Sequence, residues 1–200
     1  LSGNTDSQTL IGKTLLTWLT GNFTYSLRGE VRNVTKDDKT SAEQYLVAGR
    51  ERYELDGPHY LFGFARWEKD RFAGYDQQLS AIGGYGRQIL ENDTHVFSLE
   101  AGPGYRHDRL REHGDYRLAV AYTALDYQWF FSDYADIQQE MSFEYTDQNT
   151  TSRSLTALTA RLNSKLSLRL SHEIKHNSQP PDDTSERTDN TTSASLLYRW

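Results

Sequence analysis

The stretch LSLRLSHEIK, residues 166–175, decides the fold. Leu166, Leu168, Leu170 and Ile174 alternate with Ser167, Arg169, Ser171, Glu173 and Lys175. A repeat of two is the repeat of a β-strand, because successive side chains leave opposite faces. One face of this strand is oily and the other charged. The pattern recurs. Residues 23–32 set Phe23, Tyr25, Leu27 and Val31 against Thr24, Ser26, Arg28, Glu30 and Arg32. Residues 97–106 set Phe97, Leu99, Ala101, Pro103 and Tyr105 against Ser98, Glu100, Gly102, Gly104 and Arg106. Residues 137–145 set Ile137, Met141, Phe143 and Tyr145 against Gln138, Glu140, Ser142 and Glu144.

Turn-forming stretches separate these segments at 20–22, 35–42, 55–59, 70–76, 90–95, 108–116, 132–135, 147–152, 163–165 and 178–190. They divide the chain into eleven segments of roughly ten residues, the length a tilted membrane strand needs. Strands in soluble sheets average about five or six residues. Every second turn is long and charged, and most of those between are short. Short turns on one rim and long loops on the other form the pattern of an outer-membrane barrel.

Composition agrees. Only 36% of the 200 residues are hydrophobic, too few to line the core of a soluble sandwich of eleven long strands. In a membrane barrel half of each strand faces a polar lumen, so a mean hydropathy of -0.78 is expected. No apolar run is long enough for a transmembrane helix. The chain has no Cys, so no disulfide framework is available. A net charge of -6 argues against nucleic acid as a partner. No linker or shift in composition divides the chain, so residues 1–200 read as one barrel domain.

Aromatic residues gather near segment ends. Trp18, Phe23, Tyr53, Tyr60, Phe97, Trp129, Phe131 and Trp200 lie by short turns. Tyr45, Trp67, Phe72, Tyr75, Tyr105, Tyr116 and Tyr145 lie nearer long loops. Two interfacial girdles are the expectation. The closing ASLLYRW, residues 194–200, alternates in the same way. Leu196, Tyr198 and Trp200 are expected to face lipid, and this aromatic end is similar to the signal that barrels present to their insertion machinery. Single-chain bacterial barrels have an even number of strands, so a twelfth strand is expected ahead of Leu1, rising from the short-turn rim.

Several stretches carry a resemblance: SGNTDSQ (2–8), RWEKDRFAGYDQQLS (66–80), LEAGPGYRHDR (99–109), ALDYQW (124–129) and TALTARLNSKLSLRLSHEIKHNSQPP (156–181). Together they resemble the YdiY-like family, described as salt-induced outer-membrane proteins with a domain of unknown function. The resemblance implies an outer-membrane barrel of Gram-negative bacteria with a strand ahead of SGNTDS. It brings no catalytic residues.

The charged stripe Lys13, Arg28, Glu30, Arg32, Glu100, Arg106, Glu140, Glu144, Arg169, Glu173, Lys175 and Arg199 is expected to line the lumen. Such residues either tune ion selectivity or fill a narrow barrel with salt bridges. Folding the hairpin at 90–95 should bring Gly83 and Gly84 near Ala101 and Gly102, where missing side chains permit sharp coiling. Pro103 cannot donate to the ladder and suggests a bulge. His172 and His176 sit well apart on a strand and make no metal pair, and consecutive Ser171, His172 and Glu173 alternate faces and form no triad. No cofactor and no catalysis are expected. The acidic residues Asp37, Asp38, Asp70, Asp76, Asp108, Asp182 and Asp183 fall in long loops, where they are either solvated or bridged to lipopolysaccharide by divalent cations. The expected function is a narrow passive channel for ions or small polar solutes. The alternatives are a non-conducting structural or stress-response barrel and, third, a membrane enzyme.

Overall fold

A computed structural model describes residues 7–36, 39–70, 75–110, 114–179 and 187–198. They form one antiparallel sheet of eleven strands in chain order. The strands are β1 (Ser7–Thr20), β2 (Phe23–Lys36), β3 (Lys39–Glu54), β4 (His59–Asp70), β5 (Tyr75–Glu91) and β6 (His95–Leu110). There follow β7 (Gly114–Ser132), β8 (Ala135–Tyr145), β9 (Thr150–Arg161), β10 (Leu166–Asn177) and β11 (Thr188–Tyr198). No helix of the described residues is long and apolar enough to cross a membrane, which says nothing of strands.

Local chemistry sets the short-turn rim. Gly21 and Gly57 take φ of 59° and 72°, a backbone state that costs glycine nothing. Asn92 Oδ1 accepts hydrogen bonds from the amides of Thr94 and His95, at 2.9 and 2.7 Å. Asn163 Oδ1 does the same for Lys165 and Leu166, at 2.9 and 3.0 Å. In both turns the Asn side chain replaces a missing backbone acceptor.

The strands run longer than the expected ten residues, from 11 in β8 to 19 in β7. Pairing consumes what had read as loop: β6 extends to Leu110, and β7 opens at Gly114. Asp108 is therefore no loop residue. It is buried on the inner face of β6, where Arg106 Nε donates to it at 3.0 Å. Asp76 likewise lies within β5, and Asp37, Asp38, Asp182 and Asp183 lie outside the described residues. Both edges, β1 and β11, run from the long-loop rim to the short-turn rim. They cannot pair antiparallel with each other.

Gly84 and Gly102 face each other across β5 and β6 so closely that a Cβ on Gly84 would lie 2.3 Å from Ala101 O. The ladder keeps one register on either side, from Ile82↔Gly104 to Tyr85↔Ala101. Pro103 thus marks no register shift. The register shifts of this pair lie at Tyr75/Gln77 and Gln88/Leu90. Two glycines let the backbones approach, and a pinch takes the place of a bulge.

Above the pinch sits the core. Tyr60, Phe62, Ile82, Val120 and Tyr122 are buried together on the inner face, with Phe64 and Ala124 beside them. Rings from β4 and β7 meet over the glycine floor, Phe62 and Phe64 standing 5.7 and 5.3 Å from Tyr122. Tyr60 accordingly leaves the girdle assigned to it. It points inward and is fully buried, with the Arg52 guanidinium 3.5 Å over its ring. On the outer face Trp18 stacks on Tyr25, and Trp129 packs edge-on against Phe131, both near the short-turn rim.

Candidate functional site: a cross-tied lumen

The inner face is set by the alternation and by burial. On β4 the buried positions are Tyr60, Phe62, Arg66 and Glu68, while Leu61 is exposed outward. On β6 they are Ser98, Arg106 and Asp108, with Leu99 and Tyr105 outward. Long charged side chains on these faces reach across the lumen to the opposite wall. Arg66 of β4 donates through Nη2 to both carboxylate oxygens of Glu144 on β8, at 2.8 and 2.9 Å. Glu68 of β4 accepts from Arg153 of β9 at 3.0 Å and from Lys175 of β10 at 2.5 Å. Gln44 of β3 completes its shell at 3.0 Å. Glu173 of β10 receives Arg28 of β2 at 3.1 Å and Lys13 of β1 at 3.5 Å. Arg50 of β3 pairs with Glu100 of β6, which also accepts from the Tyr60 hydroxyl at 3.0 Å.

These ties are drier than surface pairs. The side chains of Glu68 and Glu144 keep 4% and 2% of their exposure. Buried ions of this kind persist only when paired, because an isolated one would lose its hydration without return. A neutral amide, Gln138, extends the network by linking Arg169 to Asp126. Arg169 Nη2 donates to Gln138 at 2.8 Å, and Gln138 Nε2 donates to Asp126 at 2.8 Å. Elsewhere the lumen wall is short. Ser171 and Ser193 meet at 3.0 Å, Thr17 and Ser26 at 3.4 Å.

Of the expected lumen residues, Arg28, Glu30, Arg32, Glu100, Arg106, Glu140, Glu144, Arg169, Glu173 and Lys175 share the inner face, as does Lys13. Glu30 is the cross-strand partner of Lys13 and lies beside Arg28. Glu140 is the cross-strand partner of Asp126, and Arg32 Nε is buried without an acceptor among the described residues. Leu196 and Tyr198 face outward and are exposed. Arg199 and Trp200 lie outside the described residues. Serial Ser171, His172 and Glu173 diverge: Ser171 meets Ser193, His172 Nδ1 meets the Thr192 hydroxyl on the outer face at 2.9 Å, and Glu173 holds Arg28. No group of three or more metal-ligating side chains gathers among the described residues.

The centre of the network escaped the sequence. Arg50, Arg66, Glu68 and Arg153 carry the cross-ties, and none stood out in the alternation. On β4 the inner face begins with Tyr60, Phe62 and Phe64, so rings occupy positions where a polar lumen face should read as charged. Their parity with Arg66 and Glu68 was the available signal.

The family profile described as "Protein of unknown function, DUF481" matches residues 1–200. "Uncharacterized protein YdiY" of Escherichia coli (strain K12) is 36% identical over 197 residues, covering 98% of this chain and 78% of that protein. Among solved structures, a NanC porin superposes with a TM-score of 0.65 at 6% identity, covering 97% of this chain and 94% of that one. The β domain of the Bordetella autotransporter BrkA reaches 0.46 at 12% identity, covering 97% and 91%. The porin likeness bears on the fold alone.

Proposed function

The chain belongs to the DUF481 family, whose function is unknown, and from that premise and the barrel fold we propose that it sits in the outer membrane as a narrow passive channel for ions or small polar solutes. Long loops face the exterior and short turns the periplasm. One observation carries this reading. The apolar cluster that fills the lumen lies on β4, β5 and β7, whereas on β10, β11, β1 and β2 the short side chains Ser167, Ser171, Ser193, Ser195, Thr17 and Ser26 stand between the charged residues of the inner face. Short hydroxyls leave room and offer hydrogen bonds to a hydrated solute. The test is swelling of liposomes that hold the refolded protein. A pentose should enter and a trisaccharide should not. Entry of neither sinks the proposal.

A second reading has its own support. Ties from β4 to β8, β9 and β10 join opposite walls, as they would in a non-conducting structural barrel. In that case swelling is absent, and removing Arg66 and Glu144 together creates it. Either barrel works without catalysis. Assembly passes through the insertion machinery, and outer-leaflet lipopolysaccharide surrounds the long loops.

A further inference from the structure

Glu51 is a carboxylate on the outer face of β3. On the outer surface a cross-strand row runs Trp18, Tyr25, Glu51, Gly63, Gly83 through β1 to β5. Glu51 is exposed there, and no hydrogen bond or ion pair engages it among the described residues. An anion on the lipid side of a barrel is costly unless it lies near an interface. Glu51 does, three residues from the end of β3 at the short-turn rim.

Its surroundings are shaped. Trp18, Tyr25, Ser26, Leu27, Gly49, Arg50 and Gly63 line a trough of about 450 Å³ together with Glu51, and the Arg50 guanidinium is engaged by Glu100 on the inner face. The two glycines supply a bare floor, since a Cβ on Gly49 would meet nothing within 4 Å. The wall beside the carboxylate is aromatic, Trp18 and Tyr25 stacking at 5.6 Å between centroids. A carboxylate attracts a cation, an aromatic wall reinforces that attraction through its π-face, and an apolar floor seats a hydrocarbon chain. One molecule combines all three features: a phospholipid with a primary ammonium head group, the commonest kind in the periplasmic leaflet.

We propose that this trough binds one phosphatidylethanolamine, its ammonium on Glu51 against Tyr25 and Trp18 and an acyl chain along Gly49 and Gly63. The site rests on the reading of the chain as a bilayer-spanning barrel. It is distinct from the lumen, which Glu51 does not face. A second copy of the chain could also lie on glycines, but it would bury the Glu51 carboxylate without a free cation, because the neighbouring outward positions are rings, Leu27 and glycine and Arg50 is held by Glu100.

The test is native mass spectrometry of the full chain refolded in detergent, titrated with phosphatidylethanolamine and with phosphatidylglycerol of the same acyl chains. Wild type should hold the first about tenfold more tightly than the second. Glu51→Gln should abolish that preference, and Glu51→Lys should reverse it. Gly49→Leu, which the open floor tolerates, should weaken both lipids. Equal binding of both lipids by wild type, an unchanged preference in Glu51→Gln, or dimers in place of lipid adducts would overturn the site and leave the barrel standing. A chain that neither refolds to a heat-modifiable form nor inserts into vesicles would overturn the barrel and the site together.

Discussion

Removing Glu144 should be among the most damaging single changes in the lumen. Glu144 is 1% exposed and Arg66 is 8% exposed, so the pair is desolvated. Both carboxylate oxygens engage the same guanidinium nitrogen, at 2.8 and 2.9 Å. Arg66 Nε already lacks a hydrogen-bond acceptor among the described residues, and its other anion, Glu68 Oε2, stands 4.0 Å away and is shared with Arg153. Glu144→Ala therefore strands a buried cation, which costs about 3–5 kcal/mol. If water filled the lumen at this level, the pair would behave as a surface ion pair worth roughly 0–1 kcal/mol. The two values are far enough apart to tell a dry tie from a wet one. The double variant Arg66→Met, Glu144→Leu removes both charges and keeps the volume, so it should return to within about 1 kcal/mol of wild type or exceed it. Urea unfolding of protein refolded in phospholipid vesicles, followed by Trp fluorescence, gives both numbers. A single variant costing under about 1 kcal/mol, or a double variant as weak as the single, refutes the reasoning.

The remaining predictions concern the wall and its end. Gly86→Ala would place a Cβ 2.2 Å from the Tyr60 ring, which Arg52 covers and Glu100 holds through its hydroxyl, so the same urea assay should show a loss of about 1–3 kcal/mol. Gly49→Ala, with open space at its Cβ, should change stability by less than about 0.5 kcal/mol. Leu168 is 39% exposed on the outer face between Ala160 and Leu196. Leu168→Arg should cost about 2–4 kcal/mol if that row lies near the midplane, and wild-type stability would place it at a rim. Deletion of Trp200 should lower heat-modifiable protein in the outer membrane of cells far more than it lowers refolding in vitro; equal losses would make the ring purely structural.

Much of the fold was legible because a barrel wall writes itself in period two. Phe97 to Arg106 and Leu166 to Lys175 each contrast an oily face with a charged one, and both faces survive folding. Strand ends were less legible. Asp108 lies in a charged run that composition assigns to a loop, yet pairing with Tyr116 of β7 carries it into the ladder and onto Arg106. The dry cluster was hidden for a different reason. Tyr60 and Phe62 are rings on the lumen side, and only the glycines of β5 and β6, brought beneath them by the curl of the wall, explain why a lumen holds a core. The cross-ties depend on which strands stand opposite. Glu68 and Lys175 are over a hundred residues apart, and no local pattern records that they meet. Glu51 did not stand out in the sequence, because its place among rings and glycines needs the register of β1 to β5.

We propose a narrow polar passage through a lumen held by ion pairs between its walls. Single-channel recording in planar bilayers tests it most directly, with wild type and the double variant Arg66→Ala, Glu144→Ala compared in the same salt. Small steady steps from wild type and larger steps from the double variant are the predicted result. Wide, porin-sized steps from wild type, or steps that the double variant leaves unchanged, would contradict it.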